Sequence, residues 1–214
     1  MDKEKVKICV LVSGGGTNLG ALIGAEKSGI LTSGKISLVI SSNADAYALT
    51  RAKEAGIKTA VVDRRTAKSR EEFEQQMIKL IDEEGCGLVV LAGFLIILSE
   101  SFIRHYEGRI INIHPSLIPS FCGEGYYGLR VHEAALARGV KVTGATVHYV
   151  NKITDGGEII EQRAVYVRED DTPKTLQRRV MEEAEWIILP KATELVCQKI
   201  LSSNKANTNK DIKN

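Results

Sequence analysis

Short apolar runs recur along the chain at Val6 to Val12, Ile36 to Ile40, Thr59 to Val62 and Leu88 to Leu91, and the stretches between them carry helical spacing. Strands alternating with helices predict a parallel sheet, because a parallel crossover needs room for a helix. Ser69 to Glu84 reads as a helix opened by a capping box of Ser69 and Glu72, with Phe73, Met77, Leu80 and Ile81 on one apolar face and Gly85 and Gly87 ending it. A short helix near Ser99 to Tyr106 and a strand from Arg109 to Ile113 complete a five-strand α/β core.

Beyond Pro115 the pattern changes. A loop holding Gly123, Gly125 and Gly128 leads to a short helix, Val131 to Arg138, closed by Gly139. Alternating strands at Val142 to Val150 and Glu158 to Val167 read as an antiparallel or mixed portion. A long helix is expected from Thr172 as N-cap and Pro173 at the first position to about Leu201, packing through Leu176, Val180, Ile187, Ile188 and Leu195. Residues 202–214, rich in Asn, Ser and Lys, lack the apolar area to offset ordering entropy. The expected organisation is therefore one domain, 1–201, with a disordered polar tail and no internal repeat.

Composition narrows the class. With 214 residues, 43% hydrophobic and 26% charged, the chain suits one large globular domain. Its longest apolar run, Leu88 to Leu98, falls well short of the roughly 20 residues a membrane helix needs, so no membrane partner is expected. Met1-Asp2-Lys3-Glu4-Lys5 has no secretory-signal character, which points to a cytoplasmic location. Net charge is +2, and Lys205, Lys210 and Lys213 against Asp211 in the tail account for it, so the neutral body argues against nucleic acid. Cys9, Cys86, Cys122 and Cys197 lie far apart and the four histidines are scattered, so reduced thiols and no metal are expected.

Ser13-Gly14-Gly15-Gly16-Thr17-Asn18-Leu19 joins a strand to a helix, where free backbone N–H groups and the helix dipole favour an anion, here a phosphate; a tight turn is the plainer alternative. NAD is disfavoured, since Leu19 stands where a small residue is needed and Ser41-Ser42-Asn43 replaces the ribose-binding acid. ATP is disfavoured because no lysine follows the glycines.

In Asn112-Ile113-His114-Pro115-Ser116-Leu117-Ile118-Pro119, strand alternation points Asn112 and His114 to the same side at the carboxyl end of the fifth strand, where open sheets bind ligands. Pro115 stiffens the turn behind the histidine. Asp155-Gly156-Gly157 supplies a carboxylate on a flexible backbone. Separately these are a backbone-satisfied histidine and a strand turn. Together they offer an oxyanion donor, a proton carrier and a charge partner for acyl transfer, with the carboxylate expected to raise the His114 pKa. With no Gly-x-Ser-x-Gly elbow and no cysteine placed as a nucleophile, direct transfer to a bound amine is the economical route.

The glycine loop, Asn112 to Pro119, Asp155-Gly156-Gly157, Val90 to Phe94 and Gly144 to Val150 together resemble the glycinamide ribonucleotide (phosphoribosylglycinamide) formyltransferase family of purine synthesis over roughly residues 6 to 195. The resemblance implies a Rossmann-like, mostly parallel α/β formyltransferase fold. It implies direct formyl transfer from 10-formyltetrahydrofolate, a co-substrate, to the glycinamide amine through a tetrahedral intermediate, with neither metal nor NAD. The implied partners are small-molecule substrates, the chain being a monomer or homodimer. Asn112, His114 and Asp155 match the family's catalytic group; Gly16, Thr17 and Asn18 match its phosphate contacts, and Glu185 its ribose carboxylate. Arg70, Leu95, Ile96, Ile97, Leu98, Asn112, and Asn151, Lys152, Ile153, Thr154 and Asp155 match the folate side. Without the resemblance, Leu95 to Leu98 would read as core.

Departures from the family pattern are specific. The loop Cys122-Gly123-Glu124-Gly125-Tyr126-Tyr127 is longer than usual, Arg130 and Trp186 replace common histidines, and Ile96 replaces a common arginine. Glu182 falls at a phosphate-contact position where an acid would repel the ligand. Formyl transfer to another acceptor, as in methionyl-tRNA formyltransferase, and hydrolysis of formyltetrahydrofolate share the His and Asp chemistry. Those proteins resemble this domain plus a further module, for which the length leaves no room. A catalytically silent sensor on the same fold is the remaining alternative.

Overall fold

In the computed structural model, which describes residues 4–211, each apolar run forms a strand. These are β1 (Val6–Val12), β2 (Gly34–Ser41), β3 (Lys58–Val61), β4 (Leu88–Leu91) and β5 (Ile110–His114), followed by β6 (Val142–Tyr149) and β7 (Ile159–Tyr166). All seven make one sheet in the order β3-β2-β1-β4-β5-β6-β7. The first five run parallel, and β6 and β7 pair antiparallel with their neighbours. The helices are α1 (Thr17–Ser28), α2 (Tyr47–Glu54), α3 (Arg70–Glu84), α4 (Glu100–His105), α5 (Leu129–Arg138), α6 (Pro173–Val180) and α7 (Trp186–Asp211).

Strand β1 is apolar almost throughout because both its faces are covered. Ile8, Val10 and Val12 pack with Leu19 and Leu22 of α1 and Ile188 and Val196 of α7. Cys9 and Leu11 pack with Phe73, Met77 and Ile81 of α3 and Phe102 of α4. The connection after β1 thus covers one face and the connection into β4 the other. A crevice opens beyond the carboxyl ends of these two adjacent strands.

Three local expectations change. The capping box of α3 is half formed: Ser69 accepts the Glu72 N–H at 3.1 Å, but the Glu72 carboxylate reaches back to the Lys68 N–H at 2.6 Å, one residue beyond the cap. The long helix from Thr172 is interrupted by a π-turn, Met181–Glu185. Around this wide turn the buried series steps by four, through Leu176, Val180, Ala184, Ile188, Ala192 and Val196. Leu195, expected on that stripe, falls one position short and is 44% exposed.

Helix α7 also continues to Asp211 instead of ending near Leu201, so residues 202–211, expected without structure, are helical. Extending an existing helix needs no new nucleus, and the Ser202 and Ser203 hydroxyls bond the carbonyls of Gln198 and Lys199. Residues 212–214 of the expected tail lie outside the described residues. No helix among the described residues is long and apolar enough to cross a membrane.

Candidate active site

Asn112 and His114 emerge together at the end of β5, opposite His148 and Thr146 of β6. The turn after them is held from β6: the Thr146 hydroxyl donates to the Ser116 carbonyl at 2.7 Å and accepts the Ile118 N–H at 3.1 Å. The imidazole of His114, 4% exposed, therefore sits on a stiff support.

Asp155 arrives from the turn after β6. Its backbone is left-handed, φ 55°, a conformation that asparagine and aspartate tolerate best among non-glycine residues. Gly157 explains the glycines beside it: a Cβ there would lie 1.7 Å from the Tyr149 carbonyl oxygen, so only glycine lets this turn close against β6.

The side chains converge. Asp155 Oδ2 lies 3.5 Å from His114 Nδ1 and accepts the Gly123 N–H at 2.8 Å, while Oδ1 lies 3.6 Å from His148 Nε2. His114 Nε2 donates to the Phe121 carbonyl at 2.9 Å. Burial pushes the His114 pKa down by more than Asp155 and the Phe121 carbonyl raise it. The expected increase is thus reversed: the carboxylate acts in the foreseen direction, but desolvation is larger. Burial also drives the Asp155 carboxyl upward, yet His148, His114 and the Gly123 N–H outweigh it and hold the group below its ordinary range.

Strand alternation alone gives His148 no role, and its register opposite Asn112 gives it one. Its Nδ1 donates to the Tyr149 carbonyl at 2.8 Å, and its Nε2 lies 3.2 Å from Asn112 Nδ2 and 3.6 Å from Asp155 Oδ1. This contact holds the Asn112 side chain beside His148. A second N–H of that amide is left over.

A cavity of about 580 Å³ runs past Asn112, His114, His148 and Asp155. At one end it is bordered by Thr17 and Asn18 at the start of α1 and by Gln177, Met181 and Glu185. Gln177 and Met181 lie outside the sequence expectations; with Glu185 they step by four one residue on from the buried series Leu176, Val180 and Ala184. Glu185 is buried and accepts from Asn18 Nδ2 at 2.6 Å; burial raises its pKa to about 7 against the opposing pull of that bond. Gly16 does not border the cavity: its left-handed backbone starts α1, and a Cβ would meet Ala48 Cβ at 2.6 Å. Glu182 also stays outside, paired with Arg178 at 2.7 Å on the solvent side of the helix.

At the other end Leu95, Ile96, Ile97 and Leu98 border the cavity together with Asn151, Lys152, Ile153, Thr154 and Asp155. Leu95 and Ile97 are 62% and 56% exposed, so they are not core. Arg70 does not border the cavity; its Nη2 donates to the Ile97 carbonyl at 2.7 Å. Tyr126 and Tyr127 of the long loop close the third side.

Parallel strands with a glycine loop at one crevice, and an Asn-His-Asp cluster beside it, define a class of group-transfer proteins, and comparison with known proteins specifies it. A formyl transferase family model matches residues 6–193, and the chain belongs to that family. It is 41% identical to the phosphoribosylglycinamide formyltransferase of Escherichia coli over 83% of this chain and 81% of that one. It is 45% identical to the trifunctional purine biosynthetic protein adenosine-3 of Gallus gallus over 90% of this chain, but spans only 18% of that longer protein. The crystal structure of glycinamide ribonucleotide transformylase 1 from Symbiobacterium toebii superposes with a TM-score of 0.85 at 39% identity, covering 91% of this chain and 89% of that one.

Proposed function

We propose that the protein transfers the formyl group of 10-formyltetrahydrofolate to the amine of glycinamide ribonucleotide. The observation that carries this reading is the meeting of Asn112, His114 and Asp155, from separate segments, on the wall of one cavity with a polar and an apolar end. Thr17 and Asn18 take the phosphate through the free N–H groups of the first turn of α1, and Glu185 accepts from the ribose hydroxyls. The apolar end takes the folate ring. Two reactants so held replace a bimolecular encounter with a local one, worth up to roughly 7–11 kcal/mol of barrier when well aligned.

Neutral His114 takes the proton released as the amine nitrogen bonds to the formyl carbon, and Asn112 donates its spare N–H to the oxygen that becomes negative. The imidazolium forms beside Asp155, which offsets its charge. When the carbon–N10 bond breaks, His114 returns the proton to N10 and the carbonyl re-forms. This assigns the standing oxyanion donor to Asn112 and leaves Glu182 without a part. Base action at Nε2 requires the neutral ring to carry its proton on Nδ1, toward Asp155, in place of the Nε2–H that bonds the Phe121 carbonyl. We place the reaction in the cytoplasm, a compartment in which the four free cysteines would stay reduced.

Incubating the purified protein with 10-formyltetrahydrofolate, with and without glycinamide ribonucleotide, tests the proposal. Acceptor-dependent release of tetrahydrofolate is expected. Equal release without acceptor means hydrolysis, and no release in either tube means a binding protein.

A further inference from the structure

In the apolar wall Leu95 to Leu98, Leu98 is buried in the core and Ile96 packs against it, but Leu95 and Ile97 are largely exposed, so packing holds only part of the wall and its backbone is also tied down from outside. The Leu95 N–H donates to Ser13 Oγ at 3.0 Å, and the Ile97 carbonyl accepts from Arg70 Nη2 at 2.7 Å. At the far end the Ser99 N–H donates to Glu74 Oε1 at 2.7 Å and the Ser99 hydroxyl donates to Glu74 Oε2. Arg70 Nε donates to the same Glu74 Oε1 at 3.2 Å.

Glu74 is 3% exposed, lies on α3 next to Phe73 and near Met77, and does not border the cavity. A buried acid on an otherwise apolar helix face costs stability unless its bonds accomplish something there. These bonds all lead to the wall: directly through Ser99, and through Arg70 to Ile97. We propose that Glu74 is a positioning residue for the folate half of the site, holding the Leu95–Leu98 wall in shape through Arg70 and Ser99. This rests on the reading of that end as the folate slot.

The test uses Glu74→Gln, which keeps the shape but removes the charge from all three bonds and one of the two acceptor oxygens. Loss of charge-assisted bonds of this kind should raise the KM for 10-formyltetrahydrofolate roughly 10-fold, with kcat and the KM for glycinamide ribonucleotide within about twofold of wild type. Calorimetric titration with tetrahydrofolate should show the same weakening. Because the effect passes partly through Arg70, Glu74→Gln combined with Arg70→Ala should weaken folate binding by less than the product of the single effects. Should Glu74→Gln not fold, Ser99→Ala should give a smaller shift of the same kind.

An unchanged folate KM and Kd in a folded variant overturns the proposal, as does a joint fall of kcat and both affinities, which marks general damage. A wild type that binds tetrahydrofolate but does not consume the formyl donor with glycinamide ribonucleotide refutes the functional reading alone; loss of that binding in Glu74→Gln still supports the positioning role. A wild type that binds no tetrahydrofolate overturns both.

Discussion

At one end of the cavity Asn18 and Glu185 are buried polar side chains that bond each other, whereas at the other Leu95 and Ile97 are apolar side chains left largely in solvent. On the proposed function, recognition at the first end would rest on side-chain charge and hydrogen bonds and so depend on protonation. At the second it would rest on surface shape, which the backbone anchors of Ser13, Arg70 and Glu74 maintain. His114 and Asp155 stand between, and damage there should affect turnover without favouring either end.

The largest effect is therefore expected from Asp155→Asn, which should lower kcat roughly 10²–10³-fold with both KM values little changed. Its pH signature follows from the sign of each influence. Asp155 raises the His114 pKa and burial lowers it by more, so the imidazole acts as a base once pH exceeds its depressed pKa. Removing the carboxylate should move the acid limb of kcat/KM to still lower pH. An unmoved limb would remove His114 from the role of base. Gly157→Ala should mimic the loss of turnover, because the new methyl must displace the turn that presents Asp155.

Next in size is Glu185→Gln, which separates the two ends. It should raise the KM for glycinamide ribonucleotide roughly 10-fold or more and leave the folate KM alone. Since the acid is raised to about 7, wild-type affinity for the ribonucleotide should strengthen as pH rises through about 7, and the variant should lack that step. The linkage to stability runs the other way. Between the unfolded value near 4.5 and about 7 the folded chain binds the extra proton, so this residue's contribution to stability falls as pH rises through that window. At pH 8 the variant should consequently melt a few degrees higher, as expected for relief of on the order of 1–2 kcal/mol of buried charge. A variant that melts lower while losing affinity for both ligands would show that the ends are not separable.

Much of this was legible in the chain because it is written in local chemistry. The apolar runs, the glycine loop, the Asn112-x-His114-Pro115 turn and Asp155-Gly156-Gly157 mark strands, a helix start and a site without any knowledge of distant contacts. What escaped is non-local. His148 reads as one more residue on an alternating strand until its register opposite Asn112 is known. Glu74 reads as a polar position on an amphipathic helix until Ser99 is seen against it. Leu195 falls off the stripe that a continuous helix predicts, since a π-turn leaves no mark in apolar spacing when the series already steps by four, and the family pattern that points to Glu182 does not reveal its pairing with Arg178. The His114 pKa was misjudged for a related reason: the partner was visible in sequence and the burial was not.

The smallest expected effect sharpens the comparison most. Ile97 is 56% exposed and its carbonyl is held by Arg70, so removing one methylene should leave the wall where it is. Ile97→Val then subtracts only the contact a folate ring would make with that group, about 0.8 kcal/mol, or roughly a fourfold rise in the folate KM at most. Melting temperature, kcat and the KM for the ribonucleotide should match wild type. A drop in melting temperature would mean that Ile97 packs within the fold, and the contrast between a side-chain end and a backbone-held end would fail at its apolar half.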